Sequence, residues 1–294
     1  MTYNNFMKNY IHYISVISAG ILWGLISLFI KKLNSFGFSS LQIIAFRSFF
    51  ASVILGIVLL IKDPKLFKVK IKDLWLFVGT GIISLSFFSL CYFTTIIESG
   101  ASIAVVLLYT SPIFVMIFSC VLFKEGINFS KIFALVATFI GCVFVAGVFD
   151  SKGIYISPKG FFIGLCSGVG YALYSIFGRI ALKKYNTFTI SFYTFFFASL
   201  FLVPISNPIT LFSSIDKHSL MYILGIAFLC TFLPYVLYTF GLGGLETSKA
   251  AILVTVEPLV GTLLGFFVFR EDFNLFKIIG ILLIFISLLF VSKE

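Results

Sequence analysis

Residues 250–269 read AAILVTVEPLVGTLLGFFVF, a stretch of largely apolar positions broken near its middle by Glu257-Pro258. Twenty residues of helix rise about 30 Å, the thickness of a bilayer's hydrocarbon core, so the stretch spells a membrane-crossing helix with a carboxylate at its midpoint. An acidic side chain there costs about 2.5–3.5 kcal/mol of insertion free energy, which flanking Leu, Val and Phe at about 0.3–0.6 kcal/mol each outvote without erasing. Pro258 has no N–H for the carbonyl of Val254, and its ring presses on that carbonyl, which predicts a kink. A polar, irregular midpoint must face protein or a water-filled cavity, because lipid cannot satisfy it.

The same pattern occurs earlier in the chain. Pro112 takes the place of Pro258, and Ser111 that of Glu257, within a second apolar stretch at 100–123. In the same register FKEGINFSKI (residues 123–132) faces FREDFNLFKI (269–278), Tyr92 faces Tyr238 and Ala104 faces Ala250. Two positions out of that register, Gly20, Trp23, Leu25, Ser27 and Phe29 face Gly168, Tyr171, Leu173, Ser175 and Phe177. The chain is a tandem duplication of roughly 145 residues per copy.

Composition agrees with a membrane solvent. Of 294 residues 60% are hydrophobic and 11% charged, and the mean hydropathy is +1.14; a soluble globule carries about 25% charged residues. The chain is therefore read as an all-α integral membrane protein. Its 40 Phe, together with abundant Ile, Lys and Asn, match an AT-rich coding bias, and most are read as lipid-facing or packing side chains. The net charge of +10 does not point to nucleic acid, because the basic residues sit in short connections between apolar runs. Cys91, Cys120, Cys142, Cys166 and Cys230 all lie in apolar runs and never at C-x-x-C spacing, so no metal, disulfide or cofactor is expected. The first apolar run is too long for the core of a signal peptide and is read as the first span.

Ten spans are predicted, at 11–30, 41–61, 74–95, 100–123, 131–149, 160–180, 188–205, 219–240, 249–269 and 275–292. Thirteen Lys and Arg fall on the side of the N-terminus, among them Lys8, the five lysines from Lys62 to Lys72, and Lys293. Seven fall on the other side, Lys152 and Arg270 included, and Arg47 inside span 2 completes the 21. That bias predicts a multi-pass protein of the cell membrane with both termini cytoplasmic. Five spans per copy is an odd number, so residues 1–150 and 151–294 form two repeats of opposite membrane orientation. Inverted repeats with interrupted, polar midpoints are the build of alternating-access transporters, whose site lies between the halves. Ser111-Pro112 and Glu257-Pro258 are then expected at equal depth, facing one cavity.

At these residues the chain resembles the ten-helix EamA branch of the drug/metabolite transporter superfamily. The resemblance is carried by Trp23-Gly24, the centred prolines Pro112 and Pro258, the pair Glu257-Pro258 and the basic-acidic ends Lys124-Glu125 and Arg270-Glu271. It covers essentially the whole chain. It implies an inverted-repeat bundle around a central cavity with spans 5 and 10 peripheral. The substrates it implies range over amino acids, other metabolites, sugar or nucleotide derivatives, and drugs.

Each candidate site residue has a bland reading beside the functional one. Glu257 is a protonation or substrate-binding group, or else a structural acid paired with Arg47. Arg47 either faces the cavity or snorkels outward. Trp23 lines the cavity or belongs to the close-packing face Gly20-x-x-x-Gly24. Tyr92, Tyr109, Tyr171, Tyr174, Tyr193, Tyr235 and Tyr238 are interior or nearly so and bring hydroxyls that need partners, with Tyr92 and Tyr238 favoured because both copies carry them. Ser111 binds substrate, or with Thr110 and Thr255 bonds carbonyls freed by the kink prolines Pro112 and Pro258.

Two classes of function follow. The first is a secondary transporter exporting a small amino-acid-like or amphiphilic solute or drug, with protons coupled through Glu257 if at all. The second is a lipid-carrier flippase, a nucleotide-sugar or sugar-phosphate translocator, or a membrane enzyme. No span places two of His, Asp or Glu at i, i+3 or i+4, which argues against catalysis. A single intramembrane Arg favours a zwitterionic or neutral cargo over a multiply charged one.

Overall fold

The structure, a computed structural model, describes residues 3–150, 157–207, 212–270, 272 and 274–292. Lys152, Glu271 and Lys293 lie outside the described residues, as does the side chain of Lys8. Among the described residues the regular structure is helical throughout. Eight helices are long and apolar enough to cross a membrane: α1 (Tyr10–Ser35), α2 (Ser40–Lys62), α3 (Ile71–Ser99), α4 (Ala101–Phe123), α6 (Pro158–Ala181), α7 (Thr187–Ile205), α8 (Lys217–Gly244) and α9 (Thr247–Phe267). Two shorter apolar helices, α5 (Phe129–Val145) and α10 (Leu275–Val291), complete the set. Helix α5 stops short of the predicted residue 149 because Gly147 turns left-handed, with φ 69°, a conformation glycine takes at helix ends without a Cβ clash.

The duplication is visible in the irregularities. Helix α4 breaks at Tyr109-Thr110 and α9 at Val254-Thr255, each just ahead of its proline. At both breaks the backbone tightens, with Thr110 N–H donating to Leu107 O at 3.2 Å and Thr255 N–H to Ile252 O at 3.1 Å. The threonine hydroxyls donate to the same carbonyls, at 2.6 and 2.5 Å. The carbonyl of Val254, which Pro258 cannot satisfy, is taken by Glu257 N–H at 3.1 Å. Helices α3 and α8 widen into π-helical segments at matching places, Gly79–Ser86 and Phe228–Phe232. Such an expanded turn offsets the side chains beyond it and often lies at functional sites.

Glycines lock the first helix of each half onto the broken helix of the other. A Cβ on Gly20 would sit 2.7 Å from Val254 O, and one on Gly24 2.9 Å from Glu257 O. One on Gly168 would sit 2.8 Å from Leu107 O. Thus α1 packs backbone to backbone on the break of α9, and α6 on that of α4, as small-residue faces allow in membranes. Helices α5 and α10 pack on each other through Gly141 and Gly280, and Thr138 Oγ1 donates to Ser287 Oγ at 2.6 Å. The main buried cluster gathers Val16, Phe46, Phe195, Tyr235 and Leu253 from α1, α2, α7, α8 and α9.

Candidate functional site

Two adjoining chambers lie between the halves, of about 170 and about 300 Å³. The first is lined by Trp23, Arg47, Tyr92, Tyr171, Tyr235 and Glu257, among other residues. The second adds Tyr109, Ala146, Thr262 and Lys277. Trp23, Tyr92 and Glu257 belong to both and form the wall where the chambers meet. The break in α9 produces this placement: Glu257 sits in the first turn of the second helical segment, which opens at Val256 after the turn at Val254-Thr255, so its side chain leaves the helix at the midpoint.

The Glu257 carboxyl shares the first chamber with the Tyr171 phenol and the Arg47 guanidinium, and the second with the Tyr109 phenol. Arg47 itself is held elsewhere, with Nε donating to Thr231 Oγ1 at 3.1 Å. Thr231 lies in the π-helical segment of α8, and its hydroxyl donates to Ile226 O at 2.9 Å, five residues back. Among the described residues no carboxylate stands in ion-pair contact with Arg47. One guanidinium, held by a neutral hydroxyl, and one carboxyl group therefore share an apolar chamber.

Aromatic rings set the shape. Trp23 meets Tyr235 edge-on at 5.0 Å between centroids, and Tyr235 meets Tyr174 and Phe195 at 5.0 and 4.8 Å. Tyr174 and Tyr238 find partners outside the chambers, in Thr239 at 2.7 Å and Ser175 at 2.6 Å. Tyr238 borders a narrow gap beside Trp23 and lines neither chamber. Of the sequence-predicted residues, Glu257, Arg47, Trp23 and Tyr92 come together around the first chamber, and Tyr109 joins them in the second. Ser111 and Pro112 are buried and line neither chamber. Pro258 lines the second. Tyr171 and Tyr235, which the sequence marks as interior hydroxyls but ranks below Tyr92 and Tyr238, line the first chamber as well. Tyr171 carried a signal, since it is the repeat partner of Trp23.

Both chambers extend toward one end of the bundle. The first reaches Ile30 near the end of α1 and Ser40 at the start of α2; the second reaches Val145 at the end of α5 and Lys277 at the start of α10. These belong to the face opposite the connection between α4 and α5.

The EamA-like transporter family model matches this chain twice, at residues 11–147 and 158–293. The chain belongs to the EamA-like transporter family. Its relatives include an uncharacterised transporter of Archaeoglobus fulgidus, 25% identical over 272 residues that cover 92% of this chain and 95% of the relative. The uncharacterised inner membrane transporter YicL of Salmonella typhimurium is 23% identical, covering 96% of this chain and 95% of its own. A crystal structure 13% identical in sequence superposes with a TM-score of 0.80 over 96% of each chain, which shows the same fold. The protein is thus an EamA-type multi-pass membrane transporter.

Proposed function

We propose that the protein is an alternating-access secondary transporter that exports a small zwitterionic, partly apolar solute of the amino-acid kind. The observation that carries this reading is the pairless Arg47 and Glu257 in one aromatic chamber. A guanidinium suits a solute carboxylate, a carboxylate suits an ammonium group, and the rings of Trp23, Tyr92, Tyr171 and Tyr235 suit an apolar side chain. A multiply anionic cargo would require more than one cation in the first chamber, and Arg47 is the single Lys or Arg among its lining residues.

Residues 1–150 and 151–294 act as the two repeats, related by opposite membrane orientation, and rock around the chambers. The excess of Lys and Arg on the side of the N-terminus supports cytoplasmic termini in the cell membrane, with the chambers facing outward. Protons couple through Glu257, which lines both chambers. The test is a counterflow screen of the purified protein in liposomes against zwitterionic amino acids, their amides and N-acetyl derivatives, sugars and cationic drugs. Exchange of zwitterions that is lost on blocking either charge is expected. Exchange of sugars or of singly cationic drugs alone would refute the assignment.

A further inference from the structure

The end of the bundle away from the chambers is closed by polar contacts between the two halves. Glu125, just past the end of α4, directs its carboxylate at the first turn of α9. It accepts from Thr247 N–H at 2.6 Å, from Ser248 N–H at 3.0 Å and from Ser248 Oγ at 2.7 Å. Beside it Lys131 of α5, buried to 2% exposure, places Nζ 2.7 Å from Glu246 Oε2 and donates to Gly126 O at 2.6 Å. Lys249 stands 3.8 Å from the same Glu246 oxygen. The Glu125 carboxyl is pushed up by burial, but the hydrogen bonds from Ser248 and Thr247 outweigh this and hold it below the ordinary glutamate range. It is an anion at neutral pH.

These contacts are concentrated and ionic; on the chamber side the halves meet instead through Lys159 and Glu98 at 2.6 Å, with the lysine exposed. Glu125 and Lys131 belong to the first half of the chain, Glu246, Thr247 and Ser248 to the second. Three hydrogen bonds to one carboxylate at the start of a helix are favoured electrostatically. Unlike interlocked apolar packing, they exchange readily for water once the ends part. Both chambers stop short of this face, so the contacts close the path that solute would take to or from it.

We infer that Glu125, with Lys131 and Glu246, is a latch: it holds the protein open on the chamber side and must release for the opposite face to open. The inference rests on the alternating-access reading above. Its test needs no solute, so its failure is distinguishable from failure of that reading.

Hydrogen–deuterium exchange of the full chain in lipid nanodiscs, wild type against Glu125→Gln, reads both faces at once. Exchange in peptides covering 119–125 and 247–253 is expected to rise about tenfold, the ratio that loss of one charge-assisted hydrogen bond corresponds to. Exchange in peptides covering 40–47 and 88–93, the wall of the first chamber, is expected to fall, because opening one face closes the other. A rise at the latch with no change at the chamber wall would make the contact a static brace and overturn the proposal, as would no change at either. A variant that unravels raises exchange at both ends. Ser248→Ala, which removes only the hydroxyl's bond to Glu125, then decides by the same two readings.

Discussion

Lys124 and Arg270 hold the same place in the two halves of the chain, and both turn left-handed, with φ 56° and 54°. Each follows the second segment of a broken helix, and in each half a lysine seven residues on reaches back over the turn. Lys131 Nζ donates to Gly126 O at 2.6 Å and Lys277 Nζ to Asp272 O at 2.7 Å. The duplicated sequence thus reproduces a backbone strain as well as a composition. An L-residue in this region gives up roughly 1–2 kcal/mol that glycine does not, against about 0.5–1 kcal/mol of extra chain entropy lost by glycine. Lys124→Gly and Arg270→Gly are each expected to leave the melting temperature in detergent unchanged or slightly raised, whereas Lys124→Val lowers it. A clear loss of stability in both glycine variants would mean that the exposed side chains, not the turn, are what matters.

The glycine contacts allow a sharper contrast. Gly20 lies against Val254 and Val256, whereas Gly261, on the same broken helix, has open space where a Cβ would go. Gly20→Leu and Gly168→Leu should reduce folded yield, at the roughly 1–3 kcal/mol or more that overpacking costs. Gly261→Ala should instead gain up to about 1 kcal/mol of helix propensity. Fluorescence-detected size-exclusion profiles of the three variants check this. Normal monodisperse yield of both leucine variants would remove the claim of backbone-to-backbone packing.

Much of the fold is legible in the sequence. A lone carboxylate beside a proline in an apolar run has few physical outcomes, and Glu257 takes the expected one at a chamber wall. Arg47 is less legible, because a long side chain six residues into a span can face a cavity or snorkel outward; it lines the first chamber. The repeat register misled in one respect, by suggesting like roles for like positions: Ser111 stays buried in packing while Glu257 reaches both chambers, and Tyr92 lines them while Tyr238 turns to Ser175. Backbone register is inherited by both copies, but which side chain meets a cavity depends on which face of the bundle is open. The π-helical segment that brings Thr231 to Arg47 left no trace in composition, because an expanded turn changes hydrogen-bond register and not residue type.

The start of α8 supplies a pH test outside the membrane. Asp216 caps that helix, accepting from Ser219 N–H at 2.7 Å while its own N–H donates to Ser219 Oγ at 2.9 Å. Hydrogen bonds from the Ser219 side chain and backbone hold its carboxyl below the usual aspartate range. A carboxyl lowered in the folded state lends stability that is present above the unfolded-state value and lost as pH falls through the folded one. Asp216→Ala should therefore melt earlier than wild type at pH 7, and the gap should close as the pH is brought into the acid range below the aspartate value. A gap that persists undiminished in acid would mean that the cap acts through something other than its charge.

The most exposed prediction concerns Glu257. This residue lines both chambers, beside Tyr171 and Arg47 in the first and Tyr109 in the second, with Arg47 held by Thr231. A group so placed can exchange a proton with whichever chamber is wet while the solute is bound beside it. Glu257→Gln keeps the size and the hydrogen-bonding capacity and removes the titration. In proteoliposomes the variant should still bind and exchange the solute found by counterflow, while its accumulation under a pH gradient falls to the level seen with none. Full pH-driven transport in the variant would make Glu257 a structural acid and end the coupling proposal. Loss of folded protein would instead mean that the carboxylate balances the Arg47 charge in the bundle, because removing one of two coupled buried charges leaves the other uncompensated. The double variant Glu257→Gln, Arg47→Gln should then recover yield, and failure to do so would exclude that balance as well.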